Sequence, residues 1–214
     1  GIAIGAALER EDPRDVLIGA ASIDALPRGG KVGTASLRRQ AQLLARRPDL
    51  EIVLFRGNVD TRLRKLAAGE ADATLLAHAG LRRLGKADAA DAILDIDEML
   101  PAAGQGVIAV ACRAGDETVT DGLEALNDAT ALACLQAERA MLDALDGTCR
   151  TPIGALARLT GEDLRLAGLA AWPDGRDLAR IEQTGTARDP ETLGRTVGEA
   201  LRERMGSEFF KDLV

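Results

Sequence analysis

The sequence predicts an α/β protein, with an N-terminal lobe built on a parallel-rich mixed sheet and a small α+β domain after it. Two observations indicate this fold. Residues 31–80 alternate strand, helix, strand, helix and strand, which is typical of a sheet covered by helices. From about residue 125 the pattern changes to a long helix, a hairpin and a second long helix. The 214-residue chain has room for one large domain or for two to three small ones.

The first helix of the lobe is predicted between two short strands. "KVGT" forms a strand end, and "SLRRQAQLLARR" follows it as a helix with Ser36 as the N-cap. Leu37, Ala41 and Leu44 are spaced to form one buried stripe on this helix. "PDL" ends the helix, and "EIVLFRG" is predicted as a buried strand.

The second helix has the same kind of start. In "NVDTRLRKLAAGE", Asn58 is the predicted N-cap, and Val59, Leu63 and Leu66 face inward. Gly69 closes the helix, and "ADATLLAHAG" supplies the next strand. In "MLPAAGQGVIAVACR", residues 99–113, a glycine-rich turn precedes a strand, and we expect this segment to cross between domains.

The C-terminal region has three clear segments. "NDATALACLQAERAMLDALDG" predicts a long helix with Gly147 as its C′ stop, and "LRLAGLAAWPDGRDLARIEQTGT" predicts a hairpin that turns at Pro-Asp-Gly. "DPETLGRTVGEALRERM" predicts a helix that starts at Pro190. The predicted inner faces of the two helices are Cys134, Leu135, Met141, Leu142 and Leu145, and then Leu193, Val197, Leu201 and Met205.

The charge of the chain is unevenly distributed. The net charge is −7, yet residues 28–86 hold 13 Lys or Arg against 5 Asp or Glu. An arginine-rich segment suits bidentate binding of carboxylate or phosphate, although a solvated charged face gives the same count. Aromatic residues make up 2% of the chain, which disfavours base stacking, and no apolar run approaches the length of a membrane span. We therefore expect a small-molecule partner, and neither nucleic acid nor membrane.

The cysteines do not form a recognisable pattern. Cys112, Cys134 and Cys149 lack any Cys-x-x-Cys pair and His78 is the single histidine, so we expect no metal site and no disulfide framework. Cys112 and Cys134 are predicted as buried small apolar residues. Cys149 stands in "DGTCRTPIG", and its thiol is open to five roles: core residue, disulfide half, metal ligand, nucleophile or attachment point. In "AERAM", Glu138 and Arg139 are predicted as an exposed pair, with an interface contact as the alternative for Arg139.

Arginines recur where the predicted helices begin. Arg38 and Arg39 follow the Ser36 cap, although a helix N-terminus already carries partial positive charge. Arg56 and Arg62 flank the start of the second helix. These positions, with Arg82 and Arg83 after the third strand, map to the carboxyl edge of the sheet, where α/β proteins bind ligands. The pattern predicts a cleft for a polyanion, with unrelated surface arginines as the alternative.

Several blocks of sequence together resemble the porphobilinogen deaminase family. They occur in the family's order from residue 9 nearly to the C-terminus: "GTASLRRQAQLLARRPDL", "FRGNVDTRLRKL", "LAHAGLRRLG", "LPAAGQGVIAVACR" and "AERAMLDALDGTCRTPIG". The resemblance implies three domains. Two are similar to the lobes of type II periplasmic binding proteins, and the third is a small α+β domain that carries a cysteine on a loop.

The resemblance also implies a transferase of tetrapyrrole, and hence haem, biosynthesis. Family members condense four molecules of porphobilinogen, with release of ammonia, into the linear tetrapyrrole hydroxymethylbilane. The growing chain is held on a dipyrromethane cofactor joined to a cysteine by a thioether, and Cys149 occupies that position. A monomer in the cytoplasm is the expectation that follows.

The residues that match the family's site are then assigned by resemblance. The arginines that match its carboxylate-binding positions are Arg38, Arg39, Arg56, Arg62 and Arg83. Thr34 and Ser36 match supporting hydrogen-bond donors, and Gln105 lies in the hinge segment between the lobes. No metal is implied.

The family's catalytic aspartate belongs to a motif, Ser-Met-Lys-Asp, that does not occur in this sequence. We therefore expect no catalytic residue in this chain and no turnover by the chain alone; Asp12 and Asp15 are assigned to the segment that crosses between lobes. The resemblance divides the chain into remnants of a first domain at 1–8 and 106–123, a second domain at 9–105 and a third at 124–214.

Two other functions fit parts of the sequence. A non-catalytic anion-binding module of periplasmic-binding-protein type would use the arginines but has no need of "GTCRTPIG". A thiol enzyme with Cys149 as nucleophile needs a base, and the single histidine falls in another predicted domain.

Overall fold

The computed structural model describes residues 1–148 and 151–211. The strands are β1 (Ile2–Ala7), β2 (Asp15–Ile18), β3 (Lys31–Gly33), β4 (Glu51–Val53), β5 (Ala73–Ala77), β6 (Ala92–Ile93), β7 (Ala109–Arg113), β8 (Ile153–Thr160), β9 (Asp163–Ala171) and β10 (Leu178–Thr186). The helices are α1 (Leu37–Arg46), α2 (Val59–Ala67), α3 (His78–Arg83), α4 (Glu117–Leu123), α5 (Ala129–Ala144) and α6 (Pro190–Lys211). Short 3₁₀ turns occupy Ala87–Ala89 and Glu124–Leu126.

The N-terminal lobe contains a five-stranded mixed sheet in the order β4-β3-β5-β2-β6. β3 pairs in parallel with β4 and β5, as the alternating pattern predicts, whereas β2 is antiparallel to both β5 and β6. The predicted helix starts are confirmed: the side chain of Ser36 accepts a hydrogen bond from the Arg39 amide, and that of Asn58 accepts one from Thr61. We call this sheet, with α1 to α3, the five-stranded unit.

Each face of this sheet has its own apolar core. Leu17, Val32 and Leu75 pack with Leu43 of α1 on one side. On the other side, a second cluster centred on buried Leu76 and Leu81 takes in the predicted inner face of α2, which is Val59, Leu63 and Leu66. The predicted stripe on α1 is only partly right: Ala41 is fully buried, but the innermost face also holds Arg38, Arg39, Gln42 and Leu43.

A separate two-stranded sheet is formed by β1 and β7, which are antiparallel and far apart in the chain. Ala7 packs on Ala131 and Leu135 of α5. Two chain segments, 8–14 and 100–108, connect this sheet to the five-stranded unit, and we call them the crossing segments. They run side by side, with backbone bonds from Leu8 to Ile108 and from Glu11 to Gly106.

The C-terminal unit consists of α5, α6 and an antiparallel sheet in the order β10-β9-β8. The hairpin β9–β10 and the helix α5 are as predicted, and α6 has the predicted buried residues Leu193, Val197, Leu201 and Met205. The helix α6 continues past its predicted end at Met205 to Lys211, with a kink at Gly206, where φ is +78°. The strand β8 was not predicted; it pairs with β9 along its whole length through a turn at Gly161. The chain is therefore a mixed α/β protein with a parallel-containing sheet and a C-terminal α+β domain.

The end of α5 differs from the prediction at one residue. The left-handed position after the helix is Asp146, with φ +52°, rather than Gly147. The Gly147 amide donates to the carbonyl of Leu142 and the Asp146 amide to that of Asp143, which is the Schellman arrangement. Aspartate adopts this conformation more readily than most residues, so the helix stop is kept with Asp at C′.

Candidate anion-binding site

Asp15, the first residue of β2, lies at the centre of a buried polar network. Its side chain is fully buried, and Arg38 and Arg39 of α1 both form ion pairs with it, at 2.7 and 2.8 Å. Burial opposes ionisation of this carboxyl, but the two guanidinium groups outweigh that effect and lower its pKa to about 2. The sequence predicts an anion next to the two arginines at the start of α1, and part of that negative charge is supplied by Asp15 of the chain itself.

Gln105 joins this network from the second crossing segment. Its amide nitrogen donates to Asp15 Oδ1 at 2.9 Å and to the carbonyl of Pro13 at 2.7 Å. Its amide oxygen accepts from Arg38 Nη2 at 3.3 Å. Gln105 thus contacts the site and both crossing segments, which fits the hinge position assigned to it by resemblance.

Arg38 is used mainly inside the protein. Its Nη1 donates to Asp15 Oδ2 and to the carbonyl of Leu100, both at 2.7 Å. Its Nε is buried and has no hydrogen-bond partner within the described ranges. A buried N–H of a charged group without an acceptor is costly, so this atom requires an acceptor that the described residues do not supply, such as a water molecule or a ligand.

Thr34 and Ser36 shape the loop that leads into α1. The amide of Ser36 donates to the hydroxyl of Thr34 at 3.1 Å, and the hydroxyl of Ser36 caps the helix through the Arg39 amide. Thr34 is buried and Ser36 is half-buried. Both hydroxyls therefore hold the start of α1, the helix that presents Arg38 and Arg39.

Arg62 of α2 is near enough to Arg39 to be affected by its charge. Burial, and then the positive charge of Arg39, lower the pKa of the Arg62 guanidinium from its ordinary value. Its Nε donates to the carbonyl of Gly57 at 2.9 Å, and no carboxylate of the described chain forms an ion pair with it. The charge of Arg62 is thus affected by that of Arg39, and no carboxylate among the described residues pairs with Arg62 to offset it.

Arg56 and Arg83 lie at the exposed edge of the same region. Arg56 follows β4, next to the Thr34 loop, since the Phe55 amide donates to the carbonyl of Thr34. Arg83 of α3 donates to the carbonyl of Gly106 at 2.7 Å, so it contacts the second crossing segment. Among the predicted site residues that the structure describes, Arg38, Arg39 and Gln105 thus contact Asp15 directly. Arg62 is linked to this group through the charge of Arg39, and Arg56 and Arg83 are exposed. The neighbouring Arg82 pairs instead with Glu11.

His78 is a buried hydrogen-bonding residue. Its Nδ1 lies 3.0 Å from Asp12 Oδ2, and Arg14 Nη2 donates a hydrogen bond to the same oxygen. The hydrogen bonds from Arg14 lower the pKa of Asp12 well below its ordinary value. This cluster therefore fixes the first crossing segment against the start of α3.

Glu138 is a polar residue whose position the sequence analysis predicted wrongly. It is fully buried, and Arg10 of the first crossing segment pairs with it at 2.5 Å. It also accepts from the amides of Gly104 at 2.6 Å and Ala157 at 2.7 Å. Its neighbour Arg139 is exposed. The spacing on α5 did not reveal this, because all three partners come from other elements.

The two described cysteines, Cys134 and Cys112, differ in burial. Cys134 is buried, which raises the pKa of its thiol to about 11 and leaves it unreactive. Cys112 is only half-buried, because it lies on the thin two-stranded sheet, so its prediction as a buried residue was wrong. Cys149 lies outside the described residues. The two described residues on either side of this gap are bonded to each other: the Thr148 amide donates to the Thr151 hydroxyl at 2.9 Å, directly before β8.

Asp15 is the site residue whose contacts the sequence analysis did not anticipate. It was assigned only to the crossing segment, whereas it begins β2 and contacts both arginines. A signal was present: a charged residue at the head of "DVLI", an otherwise apolar four-residue strand, requires a buried partner. The chain offers such partners in the two arginines of α1.

Comparison with known proteins decides the family. Residues 1–121 match the family model described as porphobilinogen deaminase, dipyromethane cofactor binding domain, and residues 132–203 match the one described as porphobilinogen deaminase, C-terminal domain. The chain belongs to the porphobilinogen deaminase family. The family assignment agrees with the observed division into an arginine-rich five-stranded unit and a C-terminal unit.

Curated members of the porphobilinogen deaminase family are close in sequence. The chain is 51% identical to the porphobilinogen deaminase of Nitrobacter hamburgensis over 205 residues, which is 95% of this chain and 65% of that protein. It is 50% identical to the one of Nitrobacter winogradskyi over the same shares, and 49% identical to that of Paracoccus denitrificans over 98% of this chain and 68% of the relative. The chain thus spans about 65% of the length of the first two relatives.

Of the helices in the ranges 1–148 and 151–211, none has both the length and the apolar content needed to cross a membrane.

Proposed function

We propose that this chain binds the carboxylates of a pyrrole-based ligand and acts in hydroxymethylbilane synthesis, the reaction of its family. The observation that carries the proposal is the pair Arg39 and Arg62. The charge of Arg39 acts on the Arg62 guanidinium, and the carboxylate that Arg39 contacts among the described residues, Asp15, is already shared with Arg38. The site therefore keeps a surplus of positive charge, which a ligand rich in acetate and propionate groups neutralises.

The residues fit a dipyrromethane cofactor. The unpaired Nε of Arg38 and the uncompensated guanidinium of Arg62 supply donors for carboxylates, and Arg56 and Arg83 extend the positive charge to the exposed edge. Thr34 and Ser36 hold the loop that presents them. When bound, the cofactor supplies the pyrrole carbon to which porphobilinogen units are added. The residues described above bind and orient its acidic groups.

Cys149 is the proposed point of attachment, joined to dipyrromethane by a thioether. Support comes from its place between α5 and β8, two elements whose ends are fixed by the Gly147 and Thr148–Thr151 hydrogen bonds. A loop with fixed ends limits where a tethered ligand reaches. The alternative, a non-catalytic anion-binding module, requires no tether and predicts an unmodified thiol.

Intact-mass spectrometry of the natural, active protein tests the attachment. We expect the protein to carry an added mass equal to two condensed porphobilinogen units, and the Cys149→Ser variant to lack it. Cys112→Ser, a matched change at another thiol of the chain, keeps the added mass. An unmodified Cys149 in active protein contradicts the tether and favours the binding module.

The domain arrangement is part of the proposal. Residues 1–8 and 106–123 belong to a first domain, 9–105 to a second and 124–214 to a third, and the first two are lobes of the type II periplasmic-binding-protein kind. The pairing of β1 with β7 supports the grouping of 1–8 with 106–123. The family models, which stop at residue 121 and resume at 132, support a boundary near 124. A monomeric state and a cytoplasmic location stay predictions from the family resemblance.

A further inference from the structure

Four N–H groups converge on the buried carboxylate of Asp15. Oδ1 accepts from Arg39 Nε at 3.2 Å, from Arg39 Nη2 at 2.8 Å and from Gln105 Nε2 at 2.9 Å, and Oδ2 accepts from Arg38 Nη1 at 2.7 Å. A carboxylate that accepts this many bonds fixes the planes of both guanidinium groups. It therefore controls where the remaining donors of Arg38 and Arg39 are directed.

The network balances its charge incompletely. One carboxylate faces two guanidinium groups that are both more than nine-tenths buried, so one positive charge is left over. Buried charges are normally paired, and an unpaired one is expensive. Arg38 Nε, buried and without an acceptor among the described residues, belongs to this surplus. Arg62 is near enough to Arg39 for the two positive charges to act on each other, which adds to the surplus. The arrangement is held ready for an anion from outside.

The same carboxylate ties the site to both crossing segments. Gln105 bridges Asp15 to the carbonyl of Pro13, and Arg38 reaches the carbonyl of Leu100. Gln42, one turn along α1, holds Leu100 by a second pair of bonds, from its Nε2 to the carbonyl and from the Leu100 amide to its Oε1. A displacement of Asp15 therefore moves both the arginines and the backbone that connects the lobes.

We infer that Asp15 is a positioning residue for the anion site: it touches no ligand, but it fixes Arg38 and Arg39 so that their free donors face the incoming carboxylates. The inference rests on the proposed function, since it assumes that carboxylates bind at these arginines. A positioning role and a purely electrostatic role for Asp15 predict opposite effects on anion binding when Asp15 is removed. If charge alone mattered, removal of Asp15 would make the site more positive and strengthen the binding of an anion.

Chemical rescue separates positioning from charge. The probe is propane-1,2,3-tricarboxylate, an unreactive polycarboxylate, and its binding to the purified chain is measured by calorimetry well below the melting temperature of each variant. In Asp15→Ala we expect the dissociation constant to rise about tenfold or more, because guanidinium groups that lose their anchor lose their alignment. Added formate, which fits the volume left by the missing carboxylate, is expected to return the affinity to within about threefold of wild type, whereas equal chloride is not.

Asp24→Ala is the matched control. Asp24 also forms a two-pronged pair with an arginine of α1, Arg46, but at the exposed far end of the helix. This variant is expected to bind the probe as wild type does, with or without formate. If Asp15→Ala does not fold, Gln105→Leu keeps both ion pairs of Asp15 but removes one of its donors, the acceptor of Arg38 Nη2 and the bond to the Pro13 carbonyl. Its affinity is expected to fall about threefold, because Asp15 and Arg38 are then held less firmly.

Each outcome has one meaning. Failure of the wild-type chain to bind the tricarboxylate overturns the proposed anion site, and the inference with it. Binding by wild type with unchanged or tighter binding by Asp15→Ala overturns only the positioning role. If Asp15→Ala does not fold, unchanged binding by Gln105→Leu likewise overturns it. A purely structural role for Asp15 lowers the melting temperature but leaves the dissociation constant of the folded variant at its wild-type value.

Discussion

Two buried carboxylates, Asp15 and Glu138, each bind several groups from distant parts of the chain. Asp15 binds α1 and the second crossing segment, and Glu138 binds both crossing segments and β8. Neither partner set is local in sequence, since Arg10 and Glu138 are separated by 128 positions. At the scale of the single residue, each of these two side chains therefore connects elements that are far apart in the sequence.

Glu138→Gln is expected to destabilise the protein strongly. The amide keeps one acceptor but places N–H groups against two of the three donors, and the Arg10 guanidinium loses its buried counter-charge. Breaking a buried pair in this way costs about 3–5 kcal/mol in the free energy of unfolding. Urea unfolding followed by circular dichroism measures it. Glu199→Gln on the exposed face of α6 is the matched control, with a change of at most about 0.5 kcal/mol. A loss below about 1 kcal/mol for Glu138→Gln contradicts this assignment.

Sequence reasoning succeeds where the cause is local to a residue. Ser36 and Asn58 cap their helices because a short polar side chain binds an amide three positions on, and that geometry does not depend on the rest of the fold. Glu138 was predicted as exposed because its charge is normally solvated, and its partners Gly104 and Ala157 become neighbours only after folding. Among the candidate site residues, the arginine positions follow from the alternation of strands and helices, but the role of Asp15 does not.

At the scale of the element, α5 and α6 pack closely because α6 has glycines where it meets α5. A Cβ on Gly194 would lie 2.3 Å from the carbonyl oxygen of Ala137 and 2.7 Å from Ala140 Cβ. Gly198, one turn on, would meet Ala144 Cβ at 2.7 Å.

The strand β8 was not predicted because its sequence lacks the usual pattern of a strand. Its residues are nearly all apolar from Ile153 to Ala157, so the period-2 alternation of a half-buried strand is missing.

Gly194→Ala and Gly122→Ala are expected to act in opposite directions. Alanine is favoured over glycine in a helix by about 1 kcal/mol, and at Gly122 in α4 an added Cβ meets nothing within 4 Å. That variant is therefore expected to gain up to about 1 kcal/mol. At Gly194 the clash with the backbone of α5 forces the helices apart, which costs about 1–3 kcal/mol and outweighs the propensity. Urea unfolding measures the change in the free energy of unfolding of each variant and therefore its sign. A stabilised Gly194→Ala refutes the close contact between α5 and α6.

At the scale of the whole molecule, part of the three-stranded sheet, from Leu166 to Ala171 of β9 and from Ile153 to Ala157 of β8, is buried on both faces. Alternate residues of β9 face different cores: Leu164 and Leu166 pack on α5 and α6, whereas Ala167 and Leu169 face the five-stranded unit. The second cluster also contains Ala41 of α1, Leu100 and Leu156. The turn after β9 adds a polar contact, since Gln40 donates to the carbonyl of Pro173 at 3.0 Å. The C-terminal unit thus shares a core with the rest of the chain, and we expect the protein to unfold as one cooperative unit.

Leu169→Ala and Leu166→Ala test this shared core, because they remove the same atoms from opposite faces of β9. Each is expected to cost about 2–5 kcal/mol. Trp172 is the single tryptophan and packs edge-on against Phe209 at 5.3 Å, so its fluorescence reports on the C-terminal unit, while circular dichroism follows all helices. In wild type and in Leu166→Ala, where the contact between units is intact, the two signals should change together. In Leu169→Ala the cavity lies between the units, so fluorescence should change at a lower urea concentration than circular dichroism. Coincident transitions in Leu169→Ala would mean that polar contacts such as those of Glu138 and Gln40 suffice to couple the units without the apolar cluster.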